Sequence, residues 1–323
     1  MKILFFFVCL GLAFCNAQNN KKMLNDNPLL CDINSGICGV ESDSTSTVAQ
    51  VEAKSKSIKI IYFTDPICSS CWGIEPQLRR LKLEYGKEVE IEYHMGGLLK
   101  DWSYNSGGIS KPSDVAHHWD EVSRHYEMPI DGDVWLEDPL TSSYPPSIAF
   151  KAAEIQDKQK AILFLRRIRE MVFLEKKNIT KWQYLEEAAK EIGLDAEQLK
   201  QDFDGQAKEL FRKDLILAQE MGVRGFPSLF FSDASKNTLF LYGARPYTEF
   251  EAKLSTLIPS IQPQFFKNDW KSVFQKYNTL TAKEFAVLTN KTLKSAEVSL
   301  QVLNKENFLE VFSTKNGSIW KLK

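Results

Sequence analysis

Cys68 and Cys71, in the string Asp65-Pro66-Ile67-Cys68-Ser69-Ser70-Cys71-Trp72-Gly73, are the residues whose types and spacing point most directly to chemistry. On a helix they lie one turn apart, so a mixed disulfide made at the first sulfur can be attacked by the second, and the pair can cycle. A cysteine at a helix N-terminus faces unpaired N–H groups and the positive end of the macrodipole, both of which favour thiolate. Cys68 is therefore expected to be the nucleophile, with a lowered pKa, and Cys71 its resolving partner. Ser69 and Ser70 can donate to the thiolate, whereas Asp65 would oppose its charge. A CxxC is also half of a tetrahedral zinc site, which Cys31 and Cys38 could complete. The six-residue gap between those two is wide for zinc, and buried strand and helix patterns flank Cys68 and Cys71. Redox chemistry is the preferred reading, with no metal and no cofactor.

The elements that must hold this pair can be read outward from it. Residues 58 to 64, IKIIYFT, are β-branched and aromatic and nearly continuous in apolar character, as expected of a strand buried on both faces. Residues 74 to 86 follow the pair with Ile74, Leu78, Leu81 and Leu83 or Tyr85 near helical spacing. A second strand, VEIEYHM, spans 89 to 95. Strand, CxxC, helix, strand is the context in which such a dithiol does redox work.

About 110 residues of helical pattern come next. Ser113 is the expected cap of a helix with Val115, Trp119, Val122 and Tyr126 on one stripe. Pro145-Pro146 opens another, residues 159 to 175 are amphipathic, and Gly193 and Gly222 end two more. The block reads as a helical insertion, about 110–222, between two halves of an α/β domain. Beyond it, Gly225-Phe226-Pro227 leads into a hairpin, SLFF and TLFLYG about the turn SDASKN, and then the helix YTEFEAKLSTL.

The order of Cys68-Ser69-Ser70-Cys71, a helical insertion and Gly225-Phe226-Pro227 before a hairpin resembles the DsbA family of thioredoxin-fold proteins. DPICSSCWG together with HMGGLL is similar to its FrnE-like branch, which also contains bacterial ClpXP adapters for the Spx regulator. The resemblance covers about residues 57 to 258. It implies that Pro227 is a cis-proline beside the dithiol, and that the backbone of Phe226 pairs with an extended substrate as an added strand. The dipeptide Ser69-Ser70 departs from the strongly oxidising members, which carry a histidine there, so oxidase, isomerase and reductase directions all stay open.

Outside that region, residues 1–17 read as a secretory signal peptide, with an apolar run, ILFFFVCLGLAFC, and cleavage after Ala17. A lipid anchor at Cys15 and a retained segment in a cytoplasmic protein are the alternatives. Residues 18–56 read as a flexible polar arm in which Cys31 and Cys38 flank an Asn34-Ser35-Gly36 turn signal, as a possible second disulfide. Residues 259–323 read as three helices and a hairpin about Asn316-Gly317, a small winged-helix-like module. It has ten lysines against five acidic residues and no arginine.

The chain has 323 residues, 43% apolar and 26% charged, with a formal net charge of -1, so it has no global basic field for nucleic acid. No second apolar run offers a membrane span. Asp114, His118, Glu121 and His125 would align on one helix face, but a solvated or hydrogen-bonded row is the preferred reading. His94 is expected to be structural and Trp72 to pack beneath the active-site turn. The fold expected is α/β and thioredoxin-like, with the helical insertion and the C-terminal module.

Two functions stand. The first is a periplasmic or secreted thiol-disulfide oxidoreductase, acting on substrate proteins with thiols or disulfides and served by a redox partner. The second is a thioredoxin-fold adapter, with the dithiol as sensor or relic. Adapters of that kind act in the cytoplasm, so the signal segment favours the first.

Overall fold

A computed structural model describes residues 31–32, 37–39, 57–103 and 109–323. The signal-peptide and lipid-anchor readings lie outside the described residues, as does most of the arm.

Two short strands, β1 (Cys31–Asp32) and β2 (Ile37–Gly39), precede the main sheet. That sheet begins with β3 (Ile58–Thr64). Ile58, Ile60, Tyr62 and Phe63 are fully buried, as the nearly continuous apolar run predicts for a central strand. After β3 come α1 (Ser69–Gly73), α2 (Glu75–Tyr85) and β4 (Val89–Met95). The helical stretch that begins after Cys68 is interrupted at Ile74 because Pro76, near the start of α2, lacks the N–H that would continue the ladder. β4 runs parallel to β3, pairing Ile58 with Val89 and Thr64 with Met95.

The insertion consists of α3 (Pro112–Tyr126), α4 (Val134–Glu137), α5 (Tyr144–Gln156), α6 (Lys158–Phe173), α7 (Trp182–Ile192), α8 (Ala196–Asp204) and α9 (Gln206–Glu220). Ser113 does not cap α3. Lys111 holds the cap position, Pro112 opens the helix with its preset φ, and the Asp114 carboxylate accepts the backbone N–H groups of Ser110 and Lys111. The helix still buries Val115, Trp119 and Val122.

The second half of the sheet follows: β5 (Gly225–Phe226), β6 (Ser228–Asp233), β7 (Thr238–Tyr242) and the covering helix α10 (Tyr247–Leu257). β6 is antiparallel to both β3 and β7, giving the order β4-β3-β6-β7. β5 belongs to another sheet, ordered β1-β2-β5.

The chain ends with α11 (Trp270–Lys276), β8 (Thr279–Thr281), α12 (Ala282–Thr289), α13 (Leu293–Lys305), β9 (Leu309–Thr314) and β10 (Gly317–Leu322). The expected hairpin forms, with Gly317 at φ 133° in its turn. Only β8, too short to read from pattern, is additional, and it pairs with β10. This module has a core of its own around Phe274, Phe285, Leu288, Leu300 and Trp320.

A buried ion cluster ties the module to the rest. Glu284, fully buried, receives Arg166 through two bonds of 2.7 and 3.0 Å and meets Arg79 at 3.2 Å. Burial resists its charge, yet the two guanidiniums hold its carboxyl below the usual carboxylate range. Arg79 also donates to the Thr279 carbonyl at 2.6 Å, and Arg166 to Glu170 at 2.7 Å.

Candidate functional site

The dithiol sits where β3 hands over to α1. Cys68 occupies the cap position in extended backbone, and the Cys71 N–H donates to its Sγ at 3.1 Å. The sequence reading located this corner, and the structure brings Cys68 and Cys71 together as expected. They are not joined to each other by a disulfide.

The electrostatics differ from the expectation. Both sulfurs are fully buried, and burial pushes the Cys68 thiol well above the ordinary thiol range, where a lowered value was expected. Burial opposes ionisation at Cys71 too, but the bond from Cys68 and the nearby Arg169 guanidinium outweigh it, and the Cys71 pKa is lowered. The pair thus favours one negative charge, shared toward Cys71 and Arg169, and resists a second.

Arg169 is the residue the sequence reading missed. It lies in α6, 94 positions after Glu75, yet its guanidinium donates to Glu75 (2.7 Å), to Thr64 Oγ1 (2.6 Å) and to the Asp65 carbonyl (3.1 Å). Its own pKa is raised; burial opposes its charge, but Tyr62, Glu75 and the two sulfurs favour it. Its Nε has no hydrogen-bond partner among the described residues. The available signal was slight: a cation at the heart of an apolar helix whose neighbours Leu165, Ile168 and Val172 are all core.

Asp65, expected to oppose the thiolate, instead staples three segments. Its carboxylate accepts from the N–H of Ile67 (3.0 Å) and of Leu98 (2.8 Å) and from Ser143 Oγ (2.8 Å). Burial pushes its pKa up to about 6 against these bonds.

Trp72 packs beneath the turn as expected. Its Nε1 donates to the Pro129 carbonyl at 3.1 Å, and its ring lies between Phe173 and the Arg166 guanidinium. Gly73 lets α3 approach, since a Cβ there would stand 2.7 Å from the Tyr126 ring. His94 is held by Asp214 at 2.7 Å, the structural role expected of it. The row on α3 divides: Asp114 serves the N-terminus, and Glu121 pairs with His117.

The Phe226–Pro227 bond is cis, and it leads into β6, whose first residue, Ser228, pairs with Phe63 near the end of β3. Phe226 is buried over Gly96, where a Cβ would come within 1.8 Å of its ring. The strand edge expected to receive a substrate at Phe226 is already paired. β2 runs antiparallel to β5, with Cys38 opposite Phe226 and Gly39 opposite Gly225. Cys31 and Cys38 are themselves directly opposed across the β1–β2 hairpin. No group of metal-ligating side chains occurs among the described residues, and none of the described helices is long and apolar enough to cross a membrane.

A thioredoxin family model matches residues 62–252. The ClpXP adapter protein SpxH of Halalkalibacterium halodurans is 36% identical over 307 residues, 92% of this chain and 98% of the relative. Among solved structures, a candidate protein disulfide isomerase of Nitrosomonas europaea superposes with a TM-score of 0.56 at 19% identity, covering 63% of this chain and 98% of its own. The cytosolic disulfide reductase DsbM of Pseudomonas aeruginosa does so with a TM-score of 0.50 at 24% identity, over 61% and 99%. At those identities the two structures speak for the fold alone. With a strand–CxxC–helix corner, a cis-proline just before β6, and both family and full-length relative matched, the chain belongs to the thioredoxin family, alongside the SpxH proteins.

Proposed function

We propose that this chain is a protein adapter of the SpxH kind, presenting a client regulator to a ClpXP protease. The observation that carries the reading is the extent of the match. The part of this chain outside the alignment with SpxH, 8% or about 26 residues, is shorter than the 65 residues from 259 to 323, so the alignment enters the C-terminal module. The disulfide-enzyme structures cover only 61–63% of the chain. The module is fastened by the buried Arg79–Glu284–Arg166 cluster, which suits one rigid binding body. Burial of both sulfurs also favours binding over turnover of outside substrates, because exchange with a disulfide from solution needs an accessible thiolate.

In this reading the client docks along the thioredoxin-like face and the dithiol reports redox state. The adapter works in the cytoplasm, so the apolar residues 1–17 must not export it. The second reading, a thiol-disulfide oxidoreductase acting through Cys68 and Cys71, is favoured by one observation: Cys68 Sγ sits at the start of α1 and receives the Cys71 N–H.

One experiment separates them. ClpXP degradation of a purified Spx-type regulator is timed with the full chain and with its Cys68→Ser/Cys71→Ser variant, beside an insulin-reduction assay. Faster degradation with both proteins and no insulin turnover is the expected result. No acceleration, with insulin reduction that Cys68→Ser abolishes, refutes the adapter and establishes the enzyme. Cell fractionation and the intact mass of the mature chain test the location.

A further inference from the structure

The arm contains a strand where a client strand would lie. β2 pairs with β5 at Phe226, next to Pro227, and also contacts α1, the helix that Cys68 begins. The residue of β2 placed opposite Phe226 is Cys38, and the residue opposite Cys38 on its other side is Cys31. Directly opposed residues of an antiparallel pair stand about 4.5 to 5.5 Å apart at Cα. That lies inside the roughly 4.4 to 6.8 Å that a disulfide spans. A strand carrying one half of a cysteine pair is thus laid on the edge that adjoins the dithiol.

We propose that the β1–β2 hairpin is an internal client, occupying the strand edge of β5 and exchanging its disulfide with the dithiol through a Cys38–Cys68 bond. This rests on the reading above that a client docks along the thioredoxin-like face, and on the strand pairing at Phe226 that the family resemblance implies. It adds that the face is closed or opened by the chain's own redox state.

The exchange balances within the molecule. A low-molecular-weight disulfide first oxidises Cys31 and Cys38. Cys68 then attacks the Cys38 sulfur. The Cys68–Cys38 bond forms, the Cys31–Cys38 bond breaks, and Cys31 leaves as a thiolate. The Cys68 proton passes to Cys71 along the contact between the two sulfurs. Cys71 gives up that proton to Cys31 and attacks Cys68. Cys38 departs and takes a proton from solvent, to which the pair had already lost the second proton. Two electrons move from the dithiol to the hairpin, leaving Cys68–Cys71 oxidised and Cys31 and Cys38 reduced.

The test uses the full chain carrying Cys71→Ser, with Cys71→Ala as a second trap, each checked for folding by circular dichroism. Either is incubated with roughly 0.1 mM glutathione disulfide, quenched in acid, digested without reduction and mapped by mass spectrometry. A tethered partner has a millimolar effective concentration. The Cys38–Cys68 peptide should therefore exceed the Cys68–glutathione adduct about tenfold, exceed Cys31–Cys68 by a similar factor, and vanish on adding Cys38→Ser. Cys68 found mainly on glutathione, bonded equally to Cys31 and Cys38, or unmodified while Cys38 reacts, overturns the proposal. None of these results alters the degradation assay with the double-serine variant, so failure here and failure of the adapter reading are distinct.

Discussion

Replacing Glu284 with alanine tests the claim that one buried carboxylate fastens the C-terminal module. The substitution leaves Arg79 beside Arg166 with the shared anion gone; Arg166 keeps Glu170, and Arg79 keeps the Thr279 carbonyl. It also removes the acceptor for the Thr281 N–H at 2.8 Å. Breaking a buried pair by deleting one partner costs about 3 to 5 kcal/mol, because the remaining charge stays desolvated. At about 2.1 cal/mol/K per residue, 323 residues unfold with an entropy near 0.7 kcal/mol/K, so Tm should fall by about 4 to 7 °C if the chain melts as one unit. If the module melts separately, its transition should move several times further, since its entropy is about a fifth as large.

The pH dependence has a definite sign. The folded carboxyl titrates below its unfolded value of 4.5, so its stabilisation is present above that value and is lost as pH falls through the folded pKa. The gap between wild type and Glu284→Ala at pH 7 should therefore shrink in acid. Thermal melts of both proteins at several pH values measure this. A Tm unchanged within about 1 °C at pH 7, or a gap that widens in acid, refutes the reasoning.

Three further outcomes are expected. Arg169→Gln removes the cation that favours the single negative charge of the dithiol, so the first ionisation, followed by thiolate absorbance, should move to higher pH; an unmoved titration would mean that Arg169 is only structural. Gly96→Ala drives a Cβ into the Phe226 ring and should destabilise by about 1 to 3 kcal/mol in urea unfolding, with amide exchange quickening at Gly225 and Phe226; exchange that quickens elsewhere and not there contradicts the assigned contact. Asp65, pushed up to about 6 from 3.8, binds its proton more tightly folded than unfolded, so its contribution to stability is complete below about 3.8 and is lost as pH rises through about 6; Asp65→Ala should abolish that slope in denaturation curves.

Much of the fold was legible because its signals are local. The continuous run at 58–64, the CxxC after a strand break, the helical insertion and the Asn316-Gly317 hairpin all rest on spacing within a few residues, and each element formed where expected. The errors were local as well. Ser113 lost the cap to Lys111 because Pro112 and Asp114 start the helix earlier, and Pro76 separates α1 from α2 where the spacing carried no sign of a break. The site was legible only in part. Cys68, Cys71, Phe226 and Pro227 are marked by residue type, but burial and Arg169, which act on the charge of the pair alongside the contact between its own sulfurs, have no short-range signature.

The amino-acid order alone determined which sulfurs stand one helical turn apart, which strands are apolar enough to be central, and where proline and glycine divide the chain, since these follow from backbone geometry over one or two turns. Only the tertiary structure decided that a cation 98 positions beyond Cys71 favours its ionisation, that Glu284 fastens the final module, and that Cys38 lies opposite Phe226. Those contacts bring together groups far apart along the chain, and desolvation and charge pairing depend on where such groups meet, not on the residues adjacent to them in sequence.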